Sequence, residues 1–193
     1  DGRWNDSNGS DGYVAATASA ALAFIEEGYL PYDGSTYGTH VGKAVGYLYD
    51  YAQYYGGGAP ATAVNWRAVS NNVNRTVYTT GLVAPVIYAL GEAYGEDTTI
   101  NSTNNVLNGK SYKQVMQGVM DWYEWGQNGD GGWRYYPNYS ESDNSTAQWG
   151  ALPFLYGESW GLATPASVKT GLAAWTAAVQ HPQDGSWQEG GSG

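Results

Sequence analysis

The chain contains no cysteine, which excludes disulfides, thiolate metal sites and a cysteine nucleophile. Histidine is nearly absent. His40 and His181 have no second ligand at helical or hairpin spacing, so both read as structural and no metal site is expected from them. Basic residues are scarce: 8 Lys and Arg stand against 18 Asp and Glu, a net charge of −10. A chain this acidic lacks the cations that displace counterions from nucleic acid, and anionic membrane surfaces repel it. It has no run of 18 apolar residues, so no membrane span is expected.

What fills the space is aromatic and small. There are 18 Tyr and 9 Trp but only 2 Phe and 2 Met, with 28 Gly. Tyr and Trp carry a polar handle and suit half-buried positions and interfaces. The length of 193 residues is enough for one domain with a sizeable core. Asn5, Asn8, Asn74, Asn101, Asn138 and Asn144 each begin an Asn-X-Ser/Thr triplet without Pro, in segments that read as loops. That pattern points to an extracellular or cell-surface glycoprotein carrying N-linked glycans. The chain begins at Asp1 with no Met and no signal peptide, which reads as a processed or truncated end.

Periodicity predicts six helices. Tyr13–Gly28 is Ala-rich, and Gly28 closes it. Thr39–Tyr55 follows, with Val41, Val45, Leu48 and Ala52 on one face. Ala59–Arg75 reads as a long connection. Thr76–Tyr94 contains Pro85, which should kink or break it. Gly95–Lys110 reads as an exposed polar loop, followed by helices over Ser111–Gly126 and Asp143–Gly157. A last helix runs to Val179, with Thr164 as N-cap and Pro165 at its first position.

One device recurs between these helices: a Gln, a Gly-rich turn with an Asp, then a Trp. Its clearest copy holds Gln127, Asp130, Gly131 and Trp133, and a second holds Gln180, Asp184, Gly185 and Trp187. Trp4 ends a partial copy, Asp1-Gly-Arg-Trp4. Gln53 opens a degenerate one, Gln53-Tyr-Tyr-Gly-Gly-Gly58, without Trp or Asp. Glycine permits the backbone angles of the turn, and the Trp covers the junction. The predicted fold class is therefore all-α: three helix hairpins at about 13–55, 76–126 and 144–179 in one domain spanning 1–193.

Gln127, Asp130, Gly131 and Trp133, with Gln180, Asp184, Gly185 and Trp187, resemble the loops of the α/α toroid superfamily of squalene-hopene cyclases and protein prenyltransferase β subunits. The stretches Ala18–Tyr32, Tyr78–Tyr94 and Trp122–Ala151 are similar to prenyltransferase-like repeats of non-catalytic extracellular prokaryotic proteins. The resemblance implies a partial toroid whose Gln…Asp-Gly…Trp loops are structural. The family's chemistry is missing. Neither the Asp-X-Asp-Asp proton donor of the cyclases nor the Cys-Gly-Glu-Gln thioester motif occurs. The zinc set of the prenyltransferases needs a cysteine.

Other candidates are weaker. Gly157-Glu-Ser-Trp-Gly161 spells a nucleophile elbow, but it lies between helices rather than after a strand. Glu26, Glu27, Glu92, Glu96, Asp97, Asp121 and Glu124 offer carboxylate pairs for glycoside chemistry, though as solvated helix ends they need no such role. Asp6, Asn8 and Ser10 form a candidate calcium turn. Asp11 and Thr17 stand where a helix-loop-helix calcium loop wants Gly and Glu. Trp133, Tyr135 and Tyr136 could stack on sugars. The expectation is a non-catalytic structural subunit that associates head-to-tail with copies of itself or with neighbouring domains. A carbohydrate-binding module is the alternative, and a glycan-cleaving or terpenoid-handling enzyme a further one.

Overall fold

The computed structural model describes residues 2–4, 13–54, 57–67 and 75–180. Among them are six helices: α1 (Tyr13–Glu26), α2 (Thr36–Asp50), α3 (Thr76–Tyr94), α4 (Tyr112–Gly126), α5 (Asn144–Ser159) and α6 (Ala166–Val179). The mostly helical class holds, with one addition. Strands β1 (Ala52–Tyr54) and β2 (Val64–Trp66) pair antiparallel, with Gln53 opposite Asn65. They occupy ground that periodicity assigned to the end of α2 and to an open connection. The β-branched and aromatic residues of Val64-Asn-Trp66, all buried, favour strand there.

Helix boundaries follow local chemistry. Ser111 and Gln114 form a reciprocal capping box at α4, as Ser-x-x-Gln permits. Asp143 caps α5 by accepting from Ser145 N at 2.7 Å. Ser35 caps α2 through Gly38 N, three residues before the expected start. At α6 the cap position is Pro165 rather than Thr164, and no side chain bonds there. Neither Pro85 nor Pro153 ends its helix.

The core is one cluster. α3 lies between α1 and α5, while α2 packs on α1, and α4 packs on α3, α5 and β2. Close approach depends on missing side chains. A Cβ on Gly81 would strike Trp149, one on Gly91 the Trp160 ring, and one on Gly118 the β2 segment at Thr62 and Val64. α6 makes little contact with α5 and is held instead by the loop after α4.

The 95–110 segment is not the free loop its polarity suggested. Ile100 and Leu107 are buried, and Thr99 bridges to Ser111. Asn104 Nδ2 donates to Tyr49 O at 2.8 Å and Ala52 O at 2.9 Å, satisfying carbonyls where α2 ends.

Candidate functional site: the tryptophan clamps

The loop after α4 is organised by its own polar side chains. Asn128 Oδ1 accepts from Tyr139 N at 2.7 Å, and its Nδ2 donates to Glu141 O and Ser142 Oγ. Asp130 accepts from Gly132 N and from Ser142 N and Oγ. Gln127 Nε2 donates to Gly131 O at 2.8 Å and, across to α6, to Val168 O at 3.3 Å. Gly131 sits at φ 92°, and a Cβ there would drive into Gly171 O of α6. Only glycine meets both conditions.

Trp133 is 0 % exposed. Its Nε1 donates to Tyr123 O of α4 at 3.0 Å, and its carbonyl accepts from Thr146 Oγ1 of α5 at 2.8 Å. Its ring lies against Gly150. One residue thus ties the helix before the loop to the helix after it. Beside it, burial pushes the Tyr123 hydroxyl well above its ordinary range, and that hydroxyl donates to Val77 O of α3.

The same geometry recurs at Trp66, which no Asp-Gly turn directly precedes in the sequence. Trp66 Nε1 donates to Leu48 O of α2 at 2.7 Å, and Thr79 Oγ1 of α3 donates to Trp66 O. At Trp4 a different bond links Trp to Thr, its backbone N–H donating to Thr17 Oγ1 of α1 at 2.9 Å as Trp66 N donates to Thr80 Oγ1. In all three a Trp and a Thr bonded to it are 13 residues apart. Gly2 at φ 84° abuts Lys43 O of α2 as Gly131 abuts Gly171 O. The degenerate copy at Gln53 still lacks an Asp, but β2 brings Trp66 beside it, and Gln53 bonds across the hairpin to Asn65 Oδ1 at 2.8 Å. The signal that could have found it was the Trp-to-Thr interval, not the Asp-Gly turn.

This geometry corrects the sugar-stacking expectation at Trp133, because a ring with no exposed surface cannot receive a ligand. Tyr135 remains exposed, with Arg75 above its ring at 5.7 Å, and Tyr136 meets Tyr139 edge-on at 4.6 Å. Gln180 ends α6 and bonds Thr176 O. Asn101 and Asn138 are exposed, and Asn144 opens α5 half-buried. Asp184, Gly185, Trp187, Asn5, Asn8, Asn74, the turn Asp6-Asn8-Ser10 and His181 lie outside the described residues.

Ser159 of the elbow motif is the last residue of α5. Its Oγ bonds Tyr156 O and Tyr88 OH, neither of them a base. Glu92 accepts from Trp160 Nε1 at 2.6 Å, and Asp121 from Thr62 Oγ1 and Gln117 Nε2. Among the described residues no group of three His, Cys, Asp or Glu could hold a metal ion, and no helix is long and apolar enough to cross a membrane. No family model, no curated protein and no solved structure matches the chain.

Proposed function

We propose that the protein is a non-catalytic, extracellular, glycosylated α/α-repeat module, a partial toroid that serves as a structural, self-assembling subunit of a prokaryotic surface or filament. The observation that carries the reading is the saturation of the Trp133 clamp. Gln127, Asn128, Asp130 and Trp133 spend their polar atoms on backbone and on Ser142, as joints do. An active site keeps polar groups free for a substrate.

Two further features support assembly. Leu155 of α5 is 62 % exposed, and Ala173, Ala174, Ala177 and Ala178 of α6 are uncovered. Repeat proteins cover such end faces with a neighbouring unit. The α1 side presents small residues, with Ser19 and Ala23 exposed, so a second copy meeting head-to-tail has a surface that admits Leu155. Exposed acceptor triplets at Asn101 and Asn138 support the glycoprotein part. Sedimentation velocity and electron microscopy of the purified chain test the proposal. Concentration-dependent oligomers that dissociate on Leu155→Glu are expected. A stable monomer at every concentration overturns the self-assembly reading.

A further inference from the structure

A second region of the molecule is built unlike the clamps. A cleft of about 260 Å³ opens between α2, the turn at Pro31–Tyr32, the C-terminal end of α3 and the 99–112 segment. Four tyrosines line it: Tyr32, Tyr49, Tyr94 and Tyr112. Among the described residues no charged side chain does, so nothing there would pair with an anion.

Two details indicate space kept for a ligand. Tyr32 is a non-glycine residue at φ 57°, a conformation that costs free energy and is retained where the surroundings impose it. Its ring lies on Gly42, so one face is covered while the residue stays 67 % exposed. Gly46, one turn further along α2, also lines the cleft. Glycine weakens a helix interior. Gly38 and Gly42 have a packing reason, since a Cβ would strike Asp33 and the Tyr32 ring respectively. At Gly46 nothing lies within 4 Å of where a Cβ would be.

We propose that this cleft is a saccharide site that takes one pyranose ring against the tyrosine faces. The aromatic walls suit the C–H face of a sugar. Its hydroxyls meet phenolic oxygens, the Thr99 hydroxyl and the Asn101 amide at the rim. Tyr49 and Tyr112 bring their hydroxyls within 3.3 Å of each other, one donating to the other, which leaves a single phenolic proton of the pair for a ligand. The volume falls below the roughly 300–1,000 Å³ of sites for drug-sized ligands, which suits a single ring. This inference does not depend on the assembly reading.

The pyranose has two sources, a free saccharide or the chain's own glycan. Asn101 begins an acceptor triplet and lines the same cleft. The test starts with the full chain from a host without N-glycosylation. Saturation-transfer NMR and titration use methyl glycosides of glucose, galactose, mannose and N-acetylglucosamine. At least one should bind. Gly46→Leu, which fills the cleft with a better helix former, should weaken it about tenfold or more, as should Tyr32→Asn, which tolerates the backbone angle. Tyr135→Ala should change nothing.

The second arm compares glycosylated chain with Thr103→Ala from the same glycosylating host, which removes the acceptor triplet and leaves Asn101 in the cleft. Loss of binding only in the former assigns the cleft to the chain's own glycan, and equal binding assigns it to a free saccharide. The proposal is overturned if no glycoside binds, or if binding survives Gly46→Leu. It is equally overturned if a polyproline peptide, the other ligand of tyrosine-lined grooves, binds there and the sugars do not.

Discussion

The clamps at Trp66 and Trp133 reach one geometry by two routes. At Trp133 the chain arrives through a Gly-rich turn that Asn128 and Asp130 hold in shape. At Trp66 it arrives along a β-strand, with Gln53 and Asn65 paired across the hairpin. Both indoles bond a carbonyl of the helix before, and both Trp carbonyls take a threonine hydroxyl of the helix after. The indole and the threonine are constant, and the connector is free to vary. A recurring motif can thus be invisible as a string of letters yet exact as an interval.

The comparison can be broken most severely at the indoles. Trp66→Ala and Trp133→Ala each remove a fully buried ring and the indole bond to a helix carbonyl, although Leu48 O keeps the Tyr51 N–H. Each should cost about 3–5 kcal/mol, read as a lowered midpoint in urea. A loss confined to one of them would show that the two clamps are not equivalent joints.

Next comes the glycine under α6. Gly131→Ala adds a Cβ at positive φ against a backbone carbonyl that has no flexible end to move, and should cost about 2 kcal/mol or more. Gly129→Ala, two residues away with open space around it, should stay within about 0.5 kcal/mol. Thermal melts of the pair separate steric cost from loop flexibility.

Thr79→Val and Thr146→Val keep shape and remove the hydroxyl bonded to the Trp carbonyl. About 1–2 kcal/mol is expected for each, and similar values would confirm that the 13-residue interval serves one purpose in both places.

The smallest effect is specific to the third clamp. Burial raises the Asp143 carboxyl, but hydrogen bonds from the Ser145 hydroxyl and N–H outweigh it, so its value lies below the ordinary one. A depressed carboxylate contributes stability that is complete above its unfolded value, about pH 4, and is lost as pH falls through the folded value. Stability of the wild type should therefore fall more than that of Asp143→Asn below about pH 4, by a fraction of a kcal/mol given the partial exposure of the group.

Much of the helical frame was legible in the sequence because it rests on local signals. The bounds of α3, the cap at Ser111 and the cap at Asp143 follow from spacing and side-chain chemistry. The hairpin at 52–66 did not, because its strands are three residues each, too short for an alternating pattern to show. The 95–110 segment misled because its polar residues outnumber the three apolar ones, Ile100, Val106 and Leu107, that anchor it. Trp133 read as a candidate ligand platform because sequence cannot show that Gly150 removes the side chain that would otherwise keep the ring from sinking into α5. The tyrosine cleft assembles residues from four segments, and no local pattern records it.

Because Trp133 bonds both flanking helices itself, the covalent link between them beyond this residue is redundant for holding α4 and α5 together. A single cut in the exposed stretch Asn138–Glu141 should leave two fragments that co-purify and reassemble when mixed. The indole would then act as a splice, and the loop as a site where the chain could be opened, permuted or enlarged with foreign sequence.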